Sequence, residues 1–320
     1  MKKMALILVA LAAALFLFPR PASAQTCSAT ISSVDFGAPS LLASAATDVT
    51  ATVAVTCTNI PLLNAVKLCP GIEAGSGGAD ASARLLTGPS GTLRYQLYQD
   101  AARTQAWGSV DNATLGTVPA IILSPLLSGS ATATRTLYAR LFGGQASAAP
   151  GSYRSSFTGN ATMFTYATAL LGASSTCTGF VGTATIRPTF TVGADPAKGC
   201  TITAGALTFP ATGILRSPVT AQSQLAVTCT SQTGYSIQLD AGRNPDAGGT
   251  RRMKAPSGSL ISYQLFRDAA RTAAWAGSTQ AATGTGTGST QQFTVYGRVP
   301  AQLTPEPATY SDTVVVTVTY

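Results

Sequence analysis

The side chains best equipped for chemistry occur twice. Residues 95–108 read YQLYQDAARTQAWG and residues 263–277 read YQLFRDAARTAAWAG, so Tyr95, Asp100, Arg103 and Trp107 have counterparts in Tyr263, Asp268, Arg271 and Trp275. A carboxylate three residues ahead of a guanidinium invites an acid–base reading. The simpler account is a strand running into a turn. Asp100 suits the first position of a type I turn, where its carboxylate accepts backbone N–H bonds. Arg103 is then expected to pair with Asp100, and Trp107 to return to the core. The rest of the inventory argues against catalysis. The chain has no histidine, which removes a Ser-His-Asp triad, a Cys-His pair and any His-ligated metal site. Its 12 carboxylates are scattered, and a carboxylate-pair hydrolase is the one catalytic class left open. The expectation is a protein that is not an enzyme and uses neither cofactor nor metal.

The remaining reactive residues are six cysteines, Cys27, Cys57, Cys69, Cys177, Cys200 and Cys229. Their chemistry depends on the compartment. Lys2 and Lys3 precede an apolar stretch over residues 5–18, and Ala22-Ser23-Ala24 follows. That order reads as a secretory signal peptide over residues 1–24, cleaved after Ala24. The apolar stretch is too short to cross a bilayer, which takes about 20 residues, and no later stretch is long or apolar enough. Export leads through an oxidising compartment, where an even cysteine count reads as disulfides rather than nucleophiles or thiolate ligands. Cleavage also removes Lys2, Lys3 and Arg20, lowering the net charge from +8 to +5. The remaining basic residues form no run, so nucleic acid is not an expected partner.

The elements that hold these residues are duplicated. Cys27 and Cys57 are 30 apart, Cys200 and Cys229 are 29 apart. Leu137-Tyr138-Ala139-Arg140-Leu141 matches Val295-Tyr296-Gly297-Arg298-Val299, and Gly151-Ser152-Tyr153 matches Ala308-Thr309-Tyr310. Landmarks repeated in the same order imply two homologous domains of ordinary size. Each copy is rich in Thr, Ser, Val, Ala and Gly and is broken by turn residues at short intervals, which predicts strands. No stretch after the signal sustains a helical period. A β-sandwich is the natural architecture. Six cysteines allow 15 pairings, and the repeat narrows them. If each copy uses the same internal bridge, Cys27 pairs with Cys57 and Cys200 with Cys229, leaving Cys69 for Cys177. Closing a loop of about 30 residues contributes roughly 3–4 kcal/mol in the chain-entropy model.

The Y-x-L-[YF]-x-D-x-x-R motif, the early cysteine pair and the closing YSDTVVVTVTY together resemble the spore coat protein U domain, which builds subunits of archaic (Csu-type) chaperone–usher pili. The resemblance spans both copies. It implies an all-β chain of two tandem immunoglobulin-like, pilin-like sandwiches, the second lacking one strand. It also implies three protein partners: a periplasmic chaperone that lends the strand, an outer-membrane usher, and a next pilus subunit whose N-terminal extension replaces the loan. This is strand addition at an exposed edge.

That logic assigns roles along the chain. The exported part begins Gln25-Thr26-Cys27, with nothing ahead of the first cysteine to donate. A donor-like segment precedes the second domain instead. In residues 183–192, Ala184, Ile186, Pro188, Phe190 and Val192 alternate with threonines and Arg187, the pattern of a one-sided strand. It is expected to complete domain 1 within the same chain, with Pro188 a mild objection because it removes a ladder bond. The expected division is residues 25–180 for domain 1, 181–192 for the internal donor strand or linker and 193–320 for domain 2. In domain 2, Val314, Val316, Val318 and Tyr320 are expected to face the edge offered to chaperone or partner. A protein that accepts a strand but offers none belongs at a fibre tip.

Domain 1 further carries apolar residues at predicted loops where domain 2 is polar: Ile60, Leu62 and Leu63; Ile121, Ile122, Leu123, Leu126 and Leu127; and Leu170 and Leu171. Exposed apolar patches commonly mark interaction surfaces. They are expected to form an adhesive surface for abiotic or other hydrophobic supports, the alternative being loops folded onto the core. The competing function is a fibre-shaft or spore or cell-surface coat subunit without an adhesive role.

Overall fold

The computed structural model describes residues 25–110, 112–125, 129–170 and 175–320. The signal segment and three of the candidate loop leucines, Leu126, Leu127 and Leu171, lie outside them. Threonine-rich alternation produces strands throughout. The first domain contains β1 (Thr26–Ile31), β2 (Val34–Asp35), β3 (Thr47–Ile60), β4 (Asn64–Pro70), β5 (Arg84–Gly88), β6 (Gly91–Tyr98), β7 (Ile121–Leu123), β8 (Gly129–Leu141), β9 (Tyr153–Phe157), β10 (Phe164–Leu170), β11 (Ala184–Ile186) and β12 (Phe190–Ala194). The second contains β13 (Cys200–Ala204), β14 (Val219–Cys229), β15 (Gly234–Leu239), β16 (Arg251–Lys254), β17 (Leu260–Phe266), β18 (Ala282–Thr285), β19 (Thr290–Val299) and β20 (Val316–Thr319).

Each domain is a pair of sheets. Domain 1 packs an eight-stranded sheet, ordered β1-β3-β8-β6-β5-β9-β12-β2, against a four-stranded sheet, β11-β10-β4-β7. Domain 2 packs β13-β14-β19-β17-β16 against β18-β15-β20. The shared strands follow the same order, and each domain has its own apolar core. In β3, Ala51, Val53, Val55 and Cys57 point inward while the intervening threonines face out or stay half-covered, the period-2 pattern of a sheet with one face in the core.

The cysteines join as Cys27–Cys57, Cys69–Cys177 and Cys200–Cys229. The first and third link residues directly opposite each other on neighbouring strands. The Cys69–Cys177 bridge fastens the segment after β10 to β4.

The repeated motif is a turn, as its composition implied, with one difference. The Asp100 carboxylate accepts bonds from the backbone N–H groups of Thr104 and Gln105 and from the Thr104 hydroxyl, and Asp268 does the same with Thr272 and Ala273. These bonds, led by the Gln105 and Ala273 amides, hold both carboxyls below the usual carboxylate range. Trp107 and Trp275 are buried, and their indole N–H groups donate to the carbonyls of Pro70 and Ile237. Arg103, however, does not pair with Asp100. It adopts a left-handed backbone (φ 58°), lies 3.2 Å from Asp48 and covers the Tyr138 ring. Arg271 shows the same left-handed backbone and covers Tyr296. The turn aims the arginine across the sheet, because the Asp100 oxygens are already taken by the turn's own donors.

One pair of polar residues escaped the sequence reading. Arg84 is fully buried, and its guanidinium donates to the carbonyls of Glu73, Ile72 and Trp107 and to Gln96. Arg251 donates to the matching carbonyls of Asp240, Leu239 and Trp275. Burial pushes the Arg84 pKa down to about 10. The available signal was positional: Arg84 stands opposite Tyr95, and Arg251 opposite Tyr263, in matching hairpins.

Candidate functional site

The two domains differ most at one place, a long slot between their sheets. In domain 1 the slot is filled by residues 184–194 of the same chain. β11 pairs antiparallel with β10, with Ile186 opposite Phe164 and Ala184 opposite Tyr166. The chain then crosses to the other sheet, where β12 pairs antiparallel with β9 and parallel with β2. Phe190, Val192 and Ala194 all enter the core, and the Phe190 ring stacks on Phe157 with centroids 4.3 Å apart. Pro188 occupies the crossing between β11 and β12, where no ladder bond is required of it, and its carbonyl accepts the Thr162 hydroxyl. The missing N–H that counted against this strand therefore costs nothing.

Domain 2 has no strand at the corresponding place among the described residues. Two features align the copies there. Tyr153 and Tyr310 each donate a hydroxyl bond to the carbonyl four residues back, Ala149 and Glu306. Phe36 and Phe209 each meet the motif tyrosine edge-on, at 6.2 and 6.3 Å. Where β12 would lie, domain 2 has a groove of about 860 Å³ lined by Leu207, Phe209, Leu225, Tyr263, Val314 and Val316, among others. The residues flanking it remain part-exposed. Val314, Val316 and Val318 cover the core only partly, whereas Phe157 and Phe164, the domain 1 equivalents of Val314 and Val318, are fully buried. Tyr320 lies just past β20 and is 52% exposed, so it faces solvent rather than the core. Among the described residues β20 pairs only with β15, leaving its other edge without a neighbour in the sheet.

The polar rim of the groove is anchored. Backbone bonds join Lys254 and Ser311 in both directions. Asp240 accepts the Val315 N–H, and Asp312 accepts the Arg243 N–H and the Tyr263 hydroxyl. Burial, reinforced by the Asp312 carboxylate, pushes the Tyr263 pKa upward, keeping its hydroxyl protonated as a donor.

The candidate adhesive residues separate into two groups. Ile60, Ile121 and Leu123 are not surface residues: all three are buried in the domain 1 core. The run at residues 121–123 is strand β7, paired with β4, so its alternate side chains point inward and only Ile122 is part-exposed. Ile60 ends β3 opposite Gly129 with its side chain in the core. By contrast, Leu62 and Leu63 are 55% and 71% exposed in the turn between β3 and β4, and Leu170 is 76% exposed. Leu170 stands opposite Asn64 in the β10–β4 ladder, which brings the three leucines to one end of the sheet. Domain 1 hands over to domain 2 at its other end, where β3 begins opposite Leu141 and the Gly151 N–H meets the Pro196 carbonyl.

Among the described residues there is no helix long and apolar enough to cross a membrane, and no cluster of three His, Cys, Asp or Glu suited to a metal ion.

Comparison with known proteins agrees with this architecture. A chain of the CsuC–CsuE chaperone–tip adhesion subunit pre-assembly complex, from the archaic chaperone–usher Csu pili of Acinetobacter baumannii, aligns over 92% of this chain and 100% of its own with a TM-score of 0.56 at 19% identity, a likeness of fold. The CupB6 tip adhesin from Pseudomonas aeruginosa aligns over 91% of this chain and 93% of its own, at 10% identity and a TM-score of 0.38. Protein U of Myxococcus xanthus is 40% identical over 105 residues, which are 30% of this chain and 58% of Protein U. The model of the Spore Coat Protein U domain matches twice, over residues 12–160 and 186–317, so the chain belongs to the Spore Coat Protein U domain family.

Proposed function

We propose that this chain is the tip subunit of a chaperone–usher pilus, exported through its signal segment, completed in the periplasm by a chaperone and then presented at the cell surface. One observation carries the reading: the same slot is filled by residues 184–194 in domain 1 and open in domain 2. Residues 184–194 stand where a donor segment for domain 2's neighbour would stand, directly ahead of the pilin-like domain, and they are used up within domain 1. Domain 2 can therefore only receive. A chaperone strand fills the groove first, and the next subunit's strand replaces it at the usher, pairing with the free edge of β20 and burying Val314, Val316 and Val318. Each large apolar side chain seated there contributes about 1.5–3 kcal/mol.

Domain 1 points its leucine end away from this junction. Leu62, Leu63 and Leu170 form the surface that attaches cells to hydrophobic or abiotic supports and starts biofilm formation. Immunogold labelling of the native producer tests the placement. Gold confined to fibre ends supports a tip adhesin, whereas gold along the shaft or over a coat rejects it in favour of a structural subunit.

A further inference from the structure

A duplicated fold with one closed and one open slot has a built-in hazard. The strand that closes domain 1 is shaped for a groove of the same family as the open one, so a second copy's residues 184–194 could enter domain 2. One substitution between the repeats opposes this. Two residues beyond the matched tyrosines Tyr153 and Tyr310 stand Ser155 and Asp312. Ser155 is fully buried, sits opposite Val192 in the β9–β12 ladder, and its hydroxyl accepts the Gly77 N–H at 3.1 Å. Asp312 lines the open groove, held by the N–H groups of Arg243 and Thr313 at 2.9 Å and by the Tyr263 hydroxyl at 2.7 Å. Its carboxylate is seated against Gly242, where the chain has a left-handed φ of 75° and a Cβ would come within 2.0 Å of the oxygen.

We infer that Asp312 is the specificity-determining residue of the domain 2 groove: it selects an incoming strand with a hydroxyl side chain at the position Val192 holds in domain 1, and turns away the chain's own strand. Residues opposite each other in an antiparallel ladder share a face, so a strand in the β12 register puts its side chain beside the carboxylate. A carboxylate can accept about four bonds, and the three protein donors leave capacity for one more. Valine buries the carboxylate without supplying a donor, whereas serine or threonine donates to it. The occupant is thus a strand from another polypeptide with apolar side chains at alternate positions and a hydroxyl opposite Asp312. The inference rests on the reading of the groove as a strand acceptor.

The test uses the full-length exported chain and two fluorescein-labelled peptides, residues 183–195 of this sequence and the same peptide with Val192→Ser. Domain 1 stays closed because its own strand competes at the high effective concentration of an intramolecular segment. Fluorescence anisotropy is expected to show the serine peptide binding about tenfold more tightly, a 1.4 kcal/mol difference. The preference should shrink in Asp312→Asn and vanish or reverse in Asp312→Ser. Equal or tighter binding of the valine peptide to the unaltered chain overturns the inference, and that comparison needs no variant to fold. If neither peptide binds, the strand-acceptor reading itself falls.

Discussion

Replacing Phe190 with alanine should unfold domain 1 early and leave domain 2 untouched. Phe190 lies in a linker by sequence position, yet it is only 5% exposed and stacks on Phe157. A core Phe→Ala change costs about 3–5 kcal/mol. For a domain of this size each kcal/mol moves the midpoint by roughly 2–4 °C, so the shift is on the order of 6–20 °C. The chain offers a clean assay, since its two tryptophans fall one per domain, Trp107 and Trp275, both buried. Thermal melts followed by fluorescence in a Trp275→Phe background report domain 1 alone, and those in a Trp107→Phe background report domain 2. The expected result is a large downward shift of the Trp107 transition with the Trp275 transition in place. Thr189→Ala, at the exposed residue just before β12, should change stability by no more than about 0.5 kcal/mol. A Trp107 transition indifferent to Phe190→Ala, or a Trp275 transition that moves as far, would refute the claim that residues 184–194 complete domain 1.

Three further outcomes follow from the same geometry. The triple change Leu62→Ser, Leu63→Ser, Leu170→Ser should sharply reduce attachment to polystyrene while leaving both melts nearly unchanged, whereas Ile121→Ser should lower the Trp107 midpoint by more than about 2 kcal/mol equivalent because it strikes a buried strand. Arg84→Met should destabilise domain 1 by at least ~3 kcal/mol in urea titration, since the carbonyls of Ile72, Glu73 and Trp107 lose their donor together. Asp48 is held below the usual carboxylate range first by its Arg140 hydrogen bonds. Its folded pKa is the lower one, so its contribution is complete above roughly pH 4 and disappears as pH falls through the folded value. The pair is exposed, so the term is at most about 1 kcal/mol, and Asp48→Asn should flatten that part of a pH–stability curve by this amount.

Much of the fold could be read from the sequence because duplication doubles the evidence. A cysteine spacing, a motif and a Tyr landmark repeated in order fix the register of one copy on the other. The alternation around Ile186 and Phe190 marks the inward side chains, although the single strand expected over residues 183–192 breaks at Pro188 into β11 and β12 on different sheets. What escaped was information held between strands. The Arg103–Asp100 pair was expected from spacing, but three donors of the turn compete for the same oxygens and win. The buried arginines Arg84 and Arg251 gave no pattern along the chain, since only the hairpin register brings them under their tyrosines. The run at residues 121–123 was the hardest case. Three apolar residues next to turn residues look alike as a loop and as an edge strand, and only the pairing with β4 turns Ile121 and Leu123 inward. The exposed leucines at 62, 63 and 170 share their residue type with the buried ones and differ only in lying at a turn and a strand end.

The two halves of the chain are best understood as one solution used under two boundary conditions. A sandwich lacking a strand leaves a free edge and an apolar slot, which must be covered or become a site of association. Domain 1 covers its slot with residues 184–194, so its stability is an internal property independent of concentration. Domain 2 keeps Val314 and Val316 part-exposed along the same slot, and on the proposed reading its stability depends on a second molecule. A ligand that binds only the folded form adds RT ln(1 + [L]/Kd), about 4.1 kcal/mol at a thousandfold excess over Kd. The Trp275 midpoint should therefore rise with the concentration of an added strand while the Trp107 midpoint does not. On the proposed reading, such a division keeps the exposed leucines of domain 1 presented by a permanently folded body while the other end receives its neighbour's strand.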